Sequence, residues 1–367
     1  MLFEPLEINK ETYDALIKHP YINHKIKGDV TLFDYNKECQ YARAWDKYTV
    51  NARGLCINRH SYEIVARPFM KFFNYEELAD EGIEAPDGKF RALVKEDGSM
   101  GTAFFHADTW YVATRGSFDS EQAIWARKFM ERHLCTDQMD KTYTYVFEII
   151  YPGNRIVVDY GDMEEMVLLA VINKFTGEEM PYNQMLNEAR DLCAEVVEMV
   201  EFDSLEDLLE KRKHLTANEE GWVLTYDNGF KMKVKGAAYC ELHRLISNIS
   251  PLHAWREFTY ENVIDNDIQI KEEYVVSIPE EFRDTCEPDV IELNRRAQES
   301  YNKLLEAYND VSKMTFLDNK SRYFTIIEKY PKEGDMILAL INGNYLKVKE
   351  RIVKSVKPKN NKMGENV

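Results

Sequence analysis

The sequence predicts an α+β protein, with antiparallel sheets and flanking helices over residues 1–243 and an all-α region over residues 244–367. The length of 367 residues exceeds that of one ordinary domain, so two domains are expected. Strand-like segments fill the first part, and the last two of them meet at Asn228-Gly229, a strong β-hairpin signal. After about residue 240 helical periodicity replaces them.

The elements of the first region follow from hydrophobic periodicity and turn signals. "GTAFFHA" and "TWYVATR" form a hairpin around Ala107-Asp108, and a helix over 120–134 begins at Ser120 or Asp119. The remaining expected elements are strands over 90–94, 142–150, 165–172 and within 221–236, and a helical stretch over 181–213.

The second region has the pattern of packed helices. "VIELNRRAQESYNKLLEAYNDVSKM" places five apolar or aromatic residues on one helical face, namely Leu293, Ala297, Tyr301, Leu304 and Tyr308. "SRYFTIIEKY" and "DMILALI" predict further helices.

Composition restricts the class of protein. No apolar run approaches 18 residues, and the N-terminus lacks the basic region and apolar core of a signal peptide, so neither a transmembrane helix nor a secretory signal is expected. The six cysteines are scattered without a Cys-x-x-Cys pair, which favours a reducing cytoplasm over a disulfide framework or a structural zinc site.

The charge is negative overall but uneven. A net charge of −17 argues against non-specific nucleic-acid binding over the whole surface. Residues 346–362 are basic in contrast, with seven cations against the single acid Glu350. This tail is either a docking site for a polyanion or a solvated, partly disordered segment.

Several separated segments carry residues suited to phosphate chemistry. "KEDGS" places Lys95 directly after a predicted strand, and "KMKVK" places Lys231, Lys233 and Lys235 on one strand face. A lysine that attacks phosphorus must be neutral part of the time, and neighbouring cations, a metal or partial desolvation favour this form. The cations that could serve in addition are Arg53, Lys71 and Arg115, and the carboxylates that could hold Mg²⁺ are Glu148 and Glu220.

Each segment alone has a simpler interpretation. "KEDGS" could be a solvated loop, and "KMKVK" could be an exposed edge strand whose lysines prevent aggregation. Glu148 lies among apolar neighbours, where an acid is either paired or part of an active site. The ordered set favours the catalytic interpretation.

The ordered segments resemble those of the covalent nucleotidyltransferases, specifically the bacteriophage RNA ligase 1 family, over most of residues 30–245. "KEDGS" resembles the family's first motif, "FEIIYPGNRIV" its motif III, "EEGWVL" its motif IV and "KVKGAAYCELH" its motif V. "ARG" and "RPFMKFFN" resemble upstream segments that contact ATP. "TRGSF" departs from the Lys-Gly-Ser of relatives, although Arg115 keeps the charge.

The resemblance assigns roles to named residues and makes residues 1–243 an adenylyltransferase domain. It implies Lys95 as the adenylated nucleophile, with Arg115, Glu148 and Tyr239 as further catalytic residues. It implies nucleotide contacts from Tyr35, Arg53, Lys71, Lys95, Glu148, Lys233 and Lys235, with Tyr41 open as the alternative to Tyr35. The implied metal ligands are Glu148, Glu220 and Asp265, with Asp267 in reserve.

The implied reaction is ATP-dependent joining of RNA ends with Mg²⁺ or Mn²⁺. Lys95 takes AMP from ATP, passes it to an RNA 5′-phosphate, and a 3′-hydroxyl then displaces the AMP. Relatives repair broken tRNA, so a damaged tRNA in the host cytoplasm of a phage is the implied setting.

Other functions remain open at this stage. A DNA ligase or an mRNA capping guanylyltransferase fits less well, because the C-terminal region is helical where those enzymes have an OB-fold. A non-catalytic RNA-binding relative would not need the complete set of core residues, and an unrelated acidic structural protein would need all the motifs to be accidental.

Overall fold

The computed structural model describes residues 3–247, 250–258, 269–270, 274 and 280–358. The chain divides into two compact units, Met1–Leu242 and His243–Val367. Within the described ranges no helix is long and apolar enough to cross a membrane.

Within the described residues, the strands belong to the first unit. They are β1 (Ile22–Lys27), β2 (Val30–Tyr35), β3 (Arg53–Asn58), β4 (Ile64–Ala66), β5 (Phe73–Asn74), β6 (Phe90–Val94), β7 (Ser99–His106), β8 (Thr109–Thr114), β9 (Tyr143–Ile150), β10 (Glu165–Asn173), β11 (Met199–Val200), β12 (Gly221–Tyr226) and β13 (Lys231–Lys235).

The helices run through both units. They are α1 (Lys10–Lys18), α2 (Lys37–Ala42), α3 (Lys47–Asn51), α4 (Tyr75–Leu78), α5 (Glu121–His133), α6 (Tyr182–Leu192), α7 (Leu205–Arg212), α8 (Ala237–Ser247), α9 (Pro251–Arg256), α10 (Glu280–Ser312), α11 (Asn319–Lys329), α12 (Gly334–Ile341) and α13 (Tyr345–Ser355).

Three sheets organise the first unit. Their strand orders are β1-β2-β3-β4, β10-β9-β7-β8 and β11-β6-β12-β13-β5. Every strand pair is antiparallel except β13 with β5, where Met232 lies opposite Phe73. The predicted α+β class with antiparallel sheets is therefore confirmed.

Local signals explain the elements that the sequence predicted. The β7–β8 hairpin turns at Ala107 and Asp108, both with positive φ, and α5 begins after Ser120, whose side chain accepts a hydrogen bond from the Ala123 amide. On β13 the apolar residues Met232 and Val234 are buried while its lysines line the other face. The sheet thus presents a cationic face over an apolar core.

One predicted element is wrong in its extent. The expected helical stretch over 181–213 is divided into α6 and α7, because Met199–Val200 forms β11 and pairs with Ala92 and Leu93 of β6. This pairing joins residues more than a hundred positions apart, and helical periodicity carries no information about such a contact.

The second unit has a helical core of its own. Leu293, Ala297 and Leu304 of α10 are buried, and the partly buried Tyr301 and Tyr308 pack against the same core. The basic segment is also partly structural. Residues 345–355 form α13, which buries Val348, Ile352 and Val353, so the interpretation of a solvated tail is wrong for this part; Lys359 and Lys362 lie outside the described residues.

Candidate active site

Lys95 lies at the end of β6, where it meets Glu220. Its amide donates a 2.8 Å hydrogen bond to the Gly221 carbonyl, which aligns the end of β6 with the start of β12. Its Nζ donates a 2.7 Å hydrogen bond to Oε2 of Glu220, while Nζ of Lys235 lies 2.7 Å from Oε1 of the same carboxylate. Only 4% of Glu220 is exposed, so one buried carboxylate holds two lysines.

The loop after Lys95 is held by Asp97. One carboxylate oxygen of this buried residue accepts 2.8 Å hydrogen bonds from the amides of Val157 and Val158. The other accepts a 2.8 Å hydrogen bond from the hydroxyl of Tyr239 on α8. The Asp97 carboxylate therefore joins the loop to two segments that are distant in the sequence, and it holds the loop next to Lys95 in place.

Glu96 has a related role through Tyr160. The Tyr160 hydroxyl donates a 2.9 Å hydrogen bond to Glu96 and accepts a 2.7 Å hydrogen bond from the Asp97 amide. Burial raises the pKa of Glu96 above its ordinary range, and the bond from Tyr160 offsets part of that rise. Both acids beside Lys95 thus hold the loop.

Two glycines allow the strands to approach each other here. A Cβ on Gly98 would lie 2.5 Å from the Ile149 carbonyl oxygen, and a Cβ on Gly221 would lie 2.0 Å from that of Val234. Gly221 also has φ +133, a conformation that other residues rarely adopt. The glycines after Lys95 and Glu220 are therefore steric requirements of the site.

Further cations surround Lys95. Burial lowers the pKa of Lys233 well below its usual range, and the nearby charges of Lys71, Lys95, Arg53 and Lys235 lower it further. Burial also lowers the pKa of Lys71 and of Arg53. This accumulation of positive charge in a buried place is suited to binding a polyphosphate.

Aromatic rings support these cations. The guanidinium of Arg53 lies 5.5 Å, and Nζ of Lys233 5.4 Å, from the centroid of Phe72. Nζ of Lys71 lies 4.4 Å from the centroid of Phe73 and 5.1 Å from that of Trp45. Lys71 also lies 4.0 Å from the Glu77 carboxylate, whereas Arg53 and Lys233 form no ion pair within the described residues and have these cation–π contacts instead.

Arg115 forms a second group with Tyr35. Its Nη1 donates a 3.2 Å hydrogen bond to the Tyr35 hydroxyl, its Nε donates a 3.1 Å hydrogen bond to Asp34, and its guanidinium lies 4.8 Å from the Tyr35 centroid. The alternative Tyr41 is 85% exposed on α2, whereas Tyr35 is buried. The geometry therefore favours Tyr35 for a nucleotide contact.

Glu148 is a buried carboxylate on β9. Burial raises its pKa to about 8, the positive charges of Lys95 and Arg53 lower it, and the negative charge of Glu220 raises it further. The nearby cations therefore offset only part of the cost of burying the Glu148 charge, and the Glu220 carboxylate adds to that cost. Two carboxylates in this situation suit a hard divalent cation, which takes oxygen ligands.

Two of the three expected metal ligands, Glu148 and Glu220, are thus near enough for their charges to interact. The third, Asp265, and its reserve Asp267 lie outside the described residues. Within the described part of the chain, no group of three or more His, Cys, Asp or Glu side chains is arranged as a metal site.

The structure also shows participants that sequence reasoning missed. Asp34 pairs with Arg115, Tyr160 holds the Lys95 loop, and Trp45 packs edge-on against Tyr35 at 5.0 Å between centroids. The only available signal was the position of Asp34 next to Tyr35 in "LFDYN". For Tyr160 and Trp45 the sequence offers none, because their partners are distant in the chain.

A family model described as RNA ligase matches residues 51–239, which contain Lys95, Glu148, Glu220 and the lysines of β13. The chain belongs to this RNA ligase family. The match covers more than half of the chain, and it confirms the resemblance to the phage RNA ligase 1 family seen in the motifs.

Individual proteins similar to this chain are also named as RNA ligases. The RNA ligase of Rhodothermus phage RM378 is 23% identical over 346 residues, covering 71% of this chain and 74% of that protein. A protein of Autographa californica nuclear polyhedrosis virus, named provisionally as a bifunctional polynucleotide kinase/RNA ligase, is 28% identical over 221 residues, covering 53% of this chain and 31% of that protein. This RNA ligase family chain thus spans about a third of the viral relative's length.

Solved structures show weaker likeness. The Naegleria gruberi RNA ligase with PPi has a TM-score of 0.39 and 19% identity, and the match covers 47% of this chain and 57% of that one. An ATP-dependent DNA ligase, so named provisionally, from Aquifex aeolicus has a TM-score of 0.44 and 13% identity, with 91% and 88% covered. Structural similarities with TM-scores this low say nothing about which ligands this protein binds.

Proposed function

We propose that this protein is an ATP-dependent RNA ligase that joins a 5′-phosphate to a 3′-hydroxyl through an AMP carried on Lys95. The observation that carries the proposal is the position of Lys95, a lysine at a strand end that pairs with a buried carboxylate and lies in the field of further cations, among them the buried Lys233. Membership of the RNA ligase family supports the substrate class.

In the proposed first step, Nζ of Lys95 attacks the α-phosphorus of ATP. A phosphorus–nitrogen bond forms, the bond from that phosphorus to the bridging oxygen breaks, and pyrophosphate leaves with the bonding electrons. The amine must lose its proton before attack, and we assign Glu220 as the acceptor because its Oε2 lies 2.7 Å from Nζ. Lys71, Arg53 and Lys233 then stabilise the charge on the leaving pyrophosphate.

In the next steps the AMP passes to the RNA 5′-phosphate, and a 3′-hydroxyl displaces it to form the phosphodiester. Arg115 is the exposed cation of the set, with 44% of its side chain accessible, and we assign it to the incoming phosphate. Glu148 and Glu220 would hold Mg²⁺ or Mn²⁺, which neutralises phosphate charge when bound. Broken tRNA is the proposed natural substrate.

The proposal is tested by incubating the protein with ATP or GTP labelled at the α-phosphate and measuring label on the denatured chain. We expect label from ATP, its loss in Lys95→Met, and its retention in Lys89→Met, a matched change at an exposed lysine on the same segment. Circular dichroism checks that each variant folds. A folded protein that takes no label contradicts the proposal, and preferential labelling by GTP favours a capping enzyme.

A further inference from the structure

A large cavity lies beside the candidate active site, and apart from Lys71 its lining residues have no role in the proposed adenylation step. Its volume is about 1140 Å³, and its lining comes from the segments 3–5, 67–72, 176–181 and 225–231, with Arg91 and Ile172. Typical sites for small ligands occupy about 300–1,000 Å³, so this cavity has room for more than one nucleotide.

The lining has four cations and four acids, and its cations are more buried than three of those acids. Arg67 is 3% exposed, it forms no ion pair within the described residues, and its Nε and Nη2 donate only to the carbonyls of Lys174 and Leu6. Arg91 and Lys231 share one carboxylate, Glu179, at 3.8 and 2.9 Å. The other acids of the lining are exposed, namely Glu4, Glu178 and Asp227.

Three polar atoms of the lining residues lack partners. Arg67 Nη1, Arg91 Nε and the hydroxyl of Tyr226 are buried, and none has a hydrogen-bond partner in the part of the chain that the structure describes. Such groups cost free energy when they remain unsatisfied, so native proteins usually pair them. All three are hydrogen-bond donors on residues that line this cavity.

Aromatic rings and cations alternate from the active site into this cavity. Phe72, which Arg53 and Lys233 contact from the active-site side, lies 5.9 Å from Phe69 between ring centroids. Nζ of Lys231 lies 5.3 Å from the Phe69 centroid. Grooves for single-stranded nucleic acids combine cations for the backbone with aromatic rings on which bases stack.

We infer that this cavity binds a single-stranded segment of the RNA next to the ends that are joined. Arg67, Arg91 and Lys231 contact its phosphates, and Phe69 supports a base. The inference rests on the proposed function for its substrate class. It adds a binding site that lies apart from Lys95 and its nucleotide and shares only Lys71 and Phe72 with that site.

The test measures RNA affinity and Lys95 adenylation separately. Binding of a fluorescent, 5′-phosphorylated single-stranded RNA is followed by anisotropy without ATP, over a range of salt concentrations. Lys95 labelling with ATP is measured without RNA. The variants are Arg91→Gln and Phe69→Leu, which change partly exposed residues and leave the structural bonds of Arg67 intact; Arg132→Gln, on the exposed side of α5, is the matched control.

We expect Phe69→Leu and Arg91→Gln each to weaken RNA binding about tenfold, with Lys95 labelling and the Arg132→Gln control close to wild type. The slope of log affinity against log salt should fall by about 0.7 in Arg91→Gln, because one phosphate contact is lost. Wild-type RNA affinity in both folded variants would overturn the inference, as would an equal loss of Lys95 labelling, which would assign the cavity to ATP.

Two further results separate this inference from the proposed function. If inorganic tripolyphosphate binds as tightly as the RNA and displaces it, the cavity is a small-anion site and the inference is wrong. If the wild-type protein takes no label on Lys95, the proposed function fails, but the affinity of the variants for RNA still decides what the cavity binds.

Discussion

Lys95 and Lys235 lie on opposite oxygens of the Glu220 carboxylate, each with Nζ at 2.7 Å. Lys233 lies on the same face of β13 as Lys235, and the charges of Lys95 and Lys235 both act on it. It forms no ion pair within the described residues. One carboxylate therefore serves two of three neighbouring lysines, and the third is held in the fold without a counterion. We expect this arrangement to reduce stability in the free protein and to favour phosphate binding.

The first prediction compares the two lysines of β13. Lys233→Met should raise the free energy of unfolding by about 1 kcal/mol, because it removes a buried charge that repels its neighbours. Lys235→Met should lower it by about 2 kcal/mol, because Glu220 loses a partner. Both should slow Lys95 adenylation about a hundredfold. Urea unfolding and single-turnover labelling measure these effects, and a stability loss in Lys233→Met would contradict the prediction.

The second prediction concerns the loop that carries Lys95. Tyr239→Phe removes the 2.8 Å hydrogen bond to Asp97 and should lower the free energy of unfolding by about 2 kcal/mol. Adenylation should slow about tenfold, because a less constrained loop places Nζ less well. Saturation kinetics with ATP should show the loss mainly in the maximal rate.

Tyr226 provides the matched control for this change. Its hydroxyl is buried and has no partner among the described residues, so Tyr226→Phe should leave the free energy of unfolding unchanged or raise it. If both tyrosine variants lose stability equally, the bond between Tyr239 and Asp97 has no special role.

The sequence predicts those parts of the fold and site that depend on short-range patterns. The strand β6 and the hairpin at Asn228-Gly229 follow from alternation and turn chemistry, and they place Lys95 and the β13 lysines at strand positions. Tertiary pairing is not encoded in this way. The contact between Asp34 and Arg115 joins residues 81 positions apart, and β11 exists only because β6 lies next to it.

The large cavity shows the same limit for function. Nothing in the sequence distinguishes the buried Arg67 and the partly exposed Arg91 of its lining from ordinary surface cations. The reason to propose a role for them appears only in the fold, which brings four separate segments together and leaves donor atoms without partners among the described residues. The motifs led to the hypothesis for Lys95, and the fold was needed to propose a place for the substrate.

The third prediction is a pH dependence of stability that arises from Asp34. Burial raises the pKa of this carboxyl from 3.8 to about 6, although Arg115 lowers it in part. The folded state therefore binds a proton more tightly than the unfolded state, and the resulting stabilisation is present below pH 3.8 and is lost as the pH rises through 6. The whole effect is at most about 3 kcal/mol.

Urea unfolding between about pH 4 and pH 7 tests this effect. The decrease in unfolding free energy over that range should be smaller in Asp34→Asn than in the wild type. Asp137→Asn, a change at an exposed carboxyl, should follow the wild-type curve. A variant at Asp34 with an unchanged pH profile would show that the Arg115 pairing outweighs burial.

The last prediction concerns the basic residues of α13. Because Val348, Ile352 and Val353 are buried, deletion of this helix would disrupt the core, and charge substitutions are the better test. Lys347 and Lys354 are exposed, so Lys347→Gln with Lys354→Gln should preserve folding and Lys95 adenylation. If the helix contacts RNA, end joining should weaken and the salt slope of RNA binding should fall by about 1.4, because two phosphate contacts are lost. The double change of Lys303 and Lys320 to Gln alters the net charge equally; an equal effect from that pair would show that only overall charge matters.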